Sequence, residues 1–129
     1  MPAAAAINAL IVDDQQTMRS LVRTGLNQLG ITNTREAADG EDALRALISR
    51  SAHLVISDFN MPKMDGLQLL RAIRSHEPIK GVAFIMLTGR ADRELVQRAA
   101  QFGVNNYLVK PFTVATLREK IEQVFGTLS

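Results

Sequence analysis

The stretch LVISDFNMPKMDG, residues 54–66, decides how this chain is read. Its first four residues are apolar or small and run directly into Asp58, with Pro62 and the pair Asp65 and Gly66 close behind. A short apolar run closed by turn residues is the pattern of a buried strand, because a helix needs greater length to bury a face. A carboxylate at the end of such a strand is costly unless charged or hydrogen-bonding groups meet it there. The question for the remaining sequence is which groups those are.

Working outward, the same pattern recurs. Residues 7–12 form an apolar run closed by Asp13 and Asp14, and residues 82–87 (VAFIML) form the most continuous one, as expected of a central strand covered on both faces. That run ends at Thr88 and Gly89. Residues 106–109 lead into Lys110, Pro111 and Phe112, while residues 32–38, rich in Thr and Ala, suit a less buried edge strand. Between the strands, apolar residues recur at spacings of three and four. The first such series is Met18, Leu21, Val22, Leu26 and Leu29, stopped by Gly30. Ala43, Leu44, Leu47 and Ile48 follow Asp39 and Gly40; Leu67, Leu70 and Ile73 follow a capping Asp65 and stop before Pro78. Asp92 caps a fourth helix carrying Leu95, Val96, Ala99 and Phe102, which Gly103 ends, and Leu117, Ile121, Val124, Phe125 and Leu128 mark a fifth. Strands and helices thus alternate five times, which predicts an α/β fold with a parallel sheet between helical layers. Right-handed crossovers then bring every strand's C-terminal end to one edge. Asp13, Asp14, Asp58, Thr88 and Lys110 all lie at such ends and are predicted to converge. The edge strand adds nothing evident.

The 129 residues, 47% hydrophobic and 22% charged, fit one domain with a single core, residues 7–129, preceded by a lead-in at 1–6 that is expected to fray. The absence of Cys excludes disulfides and thiolate metal sites. No apolar run approaches the roughly 18 residues a membrane span requires, and the start lacks the basic segment of a signal peptide, so a cytoplasmic protein is expected. The net charge of +2 comes from scattered Lys and Arg, and the single Tyr and five Phe form no stacking series, which argues against nucleic acid. His53 and His76 have no acidic neighbour in sequence and read as surface residues.

Three carboxylates gathered within about 4 Å repel by roughly 4 kcal/mol per pair at an effective dielectric near 20, more than one lysine offsets. An oxygen-only acidic cluster suits a hard divalent ion, and a small open one with room for water and phosphate suits Mg²⁺ better than Ca²⁺. A carboxylate nucleophile, a metal, a hydroxyl and a lysine together describe a site that accepts a phosphoryl group on Asp58. Taken singly, Asp13 with Asp14 would be an ordinary solvated turn, Lys110 with Pro111 an ordinary corner, and Tyr107 a packing residue; it is their order along the strand ends that is specific.

That order, carried by VDDQQTMRSLVR, ISDFNMPKMDGLQLL, Thr88 and NNYLVKPFTVATLREKI, resembles the receiver domains of bacterial two-component response regulators, in particular the single-domain regulators of chemotaxis. The resemblance runs from Ile7 to the C-terminus. It implies a doubly wound, flavodoxin-like (βα)5 sandwich with strand order 2-1-3-4-5. It further implies that Asp58 is the phospho-acceptor for a histidine kinase, that Asp13, Asp14, Asp58 and the backbone carbonyl of Asn60 hold Mg²⁺, and that Lys110 contacts the phosphoryl oxygens. Thr88 would follow the new charge and Tyr107 would move inward after it. The family keeps a cis peptide before Pro111. Gly89 stands where the family most often has Ala, which keeps the path to the phosphoryl group open, and Asn60 with Arg90 would tune the lifetime of the acyl phosphate. The output would be a surface of the fourth helix, fifth strand and fifth helix, with Arg93, Val96, Gln97, Ala100, Val104, Tyr107 and Lys120 as exposed members. These mix small apolar and basic groups, which suits an amphipathic partner helix with acidic flanks; by resemblance that helix belongs to a flagellar motor switch protein. A phosphatase is a further expected partner, and the chain is expected to be a monomer.

Two alternatives compete. A free receiver can act as a phosphate sink or relay without binding a motor. A haloacid-dehalogenase-like phosphatase also uses an aspartyl phosphate, but it carries a second acid two residues after the nucleophile, where this chain has Asn60, and the paired acids here precede the nucleophile. A transcription factor is disfavoured because the residues after Phe112 suffice for one helix only. The chain therefore reads as a signalling module that catalyses only its own phosphotransfer and dephosphorylation, not as an enzyme.

Overall fold

A computed structural model describes residues 3–89 and 93–129. Its elements alternate as β1 (Asn8–Val12), α1 (Gln16–Gln28), β2 (Asn33–Ala37), α2 (Gly40–Ser49), β3 (Leu54–Asp58), α3 (Gly66–Arg74), β4 (Ala83–Thr88), α4 (Arg93–Gln101), β5 (Asn106–Val109) and α5 (Val114–Phe125). The five strands form one parallel sheet in the order β2-β1-β3-β4-β5. Register sets Val12 beside Ser57, Asp58 beside Leu87 and Thr88 beside Val109, so the ends of β1, β3, β4 and β5 lie together.

Alternation along the buried strands divides the core in two. Ala9, Ile11, Leu54, Ile56, Ile85 and Leu87 pack with Val22 and Leu26 of α1 and with Leu117 and Ile121 of α5. Leu10, Val12, Val55, Phe84 and Met86 pack on the other face with Ala43 and Leu47 of α2, Leu69, Leu70 and Ile73 of α3, and Ala99 of α4. Both faces of β3 and β4 are therefore sealed, which is why their sequences are continuously apolar rather than alternating. Strand β2 is the half-exposed edge.

The helix signals act as expected where they can be seen. Asp65 caps α3, and Gln68 returns the bond to the Asp65 N–H in a reciprocal capping box. The Asp39 side chain accepts from the Asp42 N–H at the start of α2. Gly30 and Gly103, at φ of 88° and 85°, close α1 and α4. The expected cap Asp92 lies outside the described residues.

Three expectations need correction. The lead-in does not fray from Ala4 onward: Ala4–Ala6 make one 3-10 turn, Ala4 is buried in the core, and its N–H donates to the Ser129 carbonyl oxygen at 3.0 Å. Small side chains let this segment close over the Gly30 turn and tie the two ends of the fold together. Leu21 and Ile48, assigned to buried stripes, are 59% and 53% exposed. Each lies about a quarter turn from the centre of its helix's buried face, beyond the reach of the sheet. Leu128, assigned to the last helix, lies past its end but is still buried.

Candidate functional site

The strand ends collect the acids because each apolar strand terminates at the same edge. Asp13, Asp14 and Asp58 each offer a carboxylate oxygen, and these oxygens all lie within 4.8 Å of one another. Asp13 is 1% exposed and Asp58 6%, whereas Asp14 faces solvent. The Asp13 N–H donates to the Ala37 carbonyl oxygen, prolonging the β1 and β2 ladder by one bond, and Asp13 Oδ1 accepts from the Gln15 N–H at 2.9 Å. Asp13 Oδ2 is buried without a hydrogen-bond partner. Lys110 Nζ sits 2.8 Å from Asp58 Oδ1 and 3.9 Å from Asp13 Oδ2. The Lys110 N–H donates to the Thr88 carbonyl oxygen at 2.7 Å, joining the ends of β4 and β5. The Lys110–Pro111 peptide is cis.

Burial pushes the Asp13 carboxyl above the ordinary 3.8, and the charges of Asp58 and Asp14 add to this, while the Gln15 N–H and the Lys110 ammonium oppose it. One ammonium among three carboxylates leaves the cluster short of positive charge, and an unpartnered buried carboxylate oxygen is a ligand position in waiting. The donor set, all oxygen with no imidazole or thiolate, fits a hard divalent ion of the Mg²⁺ type.

Thr88 is buried at the end of β4, Gly89 beyond it is exposed, and Asn60 is exposed two residues after Asp58. Thr88, Gly89, Phe59 and Asn60 share a cleft of about 580 Å³ with Glu94, Leu95 and Arg98 of α4. Arg90 lies outside the described residues. Of the expected output surface, Arg93, Gln97 and Ala100 are exposed and Val96, Val104, Tyr107 and Lys120 are partly so. Lys120 Nζ stands 5.2 Å from the centre of the Tyr107 ring, linking α5 to β5. His53 is exposed, and its Nδ1 accepts from the Asn8 N–H.

Sequence reasoning missed Arg19 and Glu36. The edge strand does contribute: Glu36 of β2 pairs with Arg19 of α1, and Arg19 Nη1 donates to the Asp13 carbonyl oxygen at 2.6 Å. Nothing in the spacing of these residues signals the contact, which depends on how α1 lies over β2.

Among the described residues no helix is long and apolar enough to cross a membrane. A family model described as response regulator receiver domain matches residues 9–122. A probable chemotaxis protein CheY of Rhizobium etli is 52% identical over 128 residues, with 99% of each chain covered. Chemotaxis protein CheY of Pseudomonas aeruginosa is 49% identical, covering 90% of this chain and 94% of its own. Among solved structures, the chemotaxis protein CheY4 of Vibrio cholerae superposes with a TM-score of 0.85 at 32% identity, over 96% of this chain and 99% of that one. The receiver domain of a sensor histidine kinase from Pseudomonas aeruginosa, whose structure has a magnesium ion coordinated in the active-site cleft, matches with a TM-score of 0.83 at 29% identity, over 94% and 98%.

Proposed function

Because the chain belongs to the response regulator receiver family, we propose that it is the phosphoryl-accepting component of a two-component pathway, with Asp58 as acceptor and the phosphohistidine of a histidine kinase as donor. The observation that carries this is Lys110 Nζ at 2.8 Å from Asp58 Oδ1, beside a buried Asp13 oxygen that lacks a partner. The side chains of Asp13, Asp14 and Asp58, with the Asn60 carbonyl, would hold Mg²⁺, which when bound supplies positive charge against the phosphoryl oxygens. An Asp58 oxygen attacks phosphorus, the phosphorus–nitrogen bond breaks, and the imidazole leaves with that electron pair. Lys110 neutralises charge on the transferred group, Thr88 donates its hydroxyl to it, and Tyr107 moves into the space that Thr88 leaves. Gly89 keeps the approach open, and Asn60 and Arg90 tune hydrolysis of the acyl phosphate. The protein thus turns over only its own phosphoryl group and acts as a cytoplasmic, monomeric signalling module rather than an enzyme.

The similarity to chemotaxis proteins supports an output in flagellar control. The surface of α4, β5 and α5 would receive an amphipathic helix with acidic flanks from a motor switch protein, and a phosphatase would reset the signal. Acetyl phosphate with Mg²⁺ should add the mass of one phosphoryl group to the wild-type protein and none to Asp58→Asn. An unchanged adduct in that variant overturns the assignment.

A further inference from the structure

The Asp13 carbonyl oxygen marks the point where β1 leaves the sheet, and the bond it accepts there comes from a side chain. Arg19, one turn into α1, reaches back with Nη1 to that oxygen at 2.6 Å while its Nε donates to Glu36 Oε1 at 2.9 Å. The second Glu36 oxygen pairs with Arg23. The Arg19 side chain is 15% exposed and its bond to the Asp13 carbonyl is partly buried, while Glu36 anchors it from the exposed side of the edge strand, so the contact joins α1, β2 and the β1–α1 turn. The bonded carbonyl belongs to the peptide plane joining Asp13 to Asp14. Holding that plane restrains the backbone from which both side chains leave.

We propose that Arg19, anchored by Glu36, is a positioning residue that keeps the two carboxylates of the β1–α1 turn converged on Asp58 against their mutual repulsion, and so prepares the site for its cation. The inference rests on the phosphoryl-accepting reading above. Without the clamp, solvent-exposed Asp14 is free to turn away from Asp13 and Asp58, and cation binding must then bear the cost of gathering the ligands. A small divalent ion that demands near-octahedral geometry is especially sensitive to that loss. The planar fork of guanidinium serves two acceptors in different directions, which an ammonium point charge does not. Glu36 faces Arg19 and Arg23 together and so offsets part of the positive charge beside the cation site.

Charge and positioning predict opposite signs, which makes the test decisive. Removing a positive charge near a cation site tightens binding if charge alone matters; removing the clamp weakens it. We expect Arg19→Met to raise the Mg²⁺ dissociation constant about tenfold, the low end for a residue acting behind the ligands, in calorimetric titration of the metal alone. Saturating Mg²⁺ should restore the rate of phosphorylation by acetyl phosphate. Arg19→Lys should rescue little of the affinity. Arg118→Met, the same charge loss on α5, should leave the constant unchanged. Circular dichroism checks that each variant is folded, and Arg19→Gln replaces Arg19→Met if the latter is not. An unchanged or lower constant in the folded Arg19 variant overturns the proposal while leaving the function standing. Failure of the wild-type protein to bind Mg²⁺ and take up a phosphoryl group overturns both.

Discussion

At the scale of single residues, Asp13 shows that the site is built against the stability of the fold. Burial, reinforced by Asp58 and Asp14, makes the folded protein hold the Asp13 proton more tightly than the unfolded chain does. Such a group favours the fold at low pH, and the advantage is lost as pH rises through its raised folded-state value. At neutral pH the ionised carboxylate therefore weighs against the metal-free fold. Asp13→Asn should be more stable than the wild type at pH 7 in the presence of chelator, by on the order of 1 kcal/mol. The gap should close as pH falls below the ordinary 3.8, where Asp13 is neutral in both states. Thermal melts across that range measure it. Added Mg²⁺ should raise the melting temperature of the wild type and have less effect on the variant, because only a ligand that binds the folded state stabilises it.

At the scale of elements, two glycines follow β3 and β4 for different reasons. Gly66 opens α3, and a Cβ there would stand 2.5 Å from the Asp58 carbonyl oxygen and 3.0 Å from Phe59 Cα. Its N–H donates to the Phe59 carbonyl oxygen, so the helix start is pressed onto the backbone at the end of β3 and neither can yield cheaply. Gly66→Ala should destabilise the protein by about 1–3 kcal/mol, the range for overpacking, and slow phosphorylation of Asp58 by displacing the strand end. Denaturant unfolding and the acetyl phosphate reaction read the two effects. Gly89 has no such neighbour among the described residues and no positive φ. Gly89→Ala should stabilise by about 0.4–1 kcal/mol by restricting the unfolded chain.

At the scale of the whole molecule, the two ends of α4 are held differently. Arg74, at the end of α3, donates to the carbonyl oxygens of Lys80, Val82 and Gly103 and to Asn105 Oδ1, which itself accepts from the Phe84 N–H. This fastens the C-terminal turn of α4 to α3 and β4. The other end of α4 borders the open cleft beside Thr88 and Gly89, where a phosphoryl group on Asp58 would bring roughly two negative charges. On the proposed function, a rearrangement started there would pass along α4 to the surface it shares with Tyr107 and Lys120. Beryllofluoride, standing in for the phosphoryl group on Asp58, should raise affinity for an acidic-flanked amphipathic helix about five- to a hundredfold, the usual range of coupling. Val96→Asp should abolish that binding and leave phosphorylation of Asp58 intact. No gain in affinity for the wild type would make a phosphate sink the better reading.

The sequence alone determined the alternation of strands and helices, the edge character of β2 and the convergence of Asp13, Asp14, Asp58, Thr88 and Lys110. Periodicity and turn chemistry are local, and a parallel sheet with right-handed crossovers turns strand ends into neighbours without further information. What lay outside that logic was decided by tertiary packing. The burial of Ala4, the exposure of Leu21 and Ile48, the pressure of Gly66 on the end of β3 and the reach of Arg19 between Glu36 and Asp13 all depend on how far a helix rotates over the sheet and how closely it approaches. A few tenths of an ångström and some tens of degrees separate contact from solvent, and no pattern of residue types along the chain encodes them.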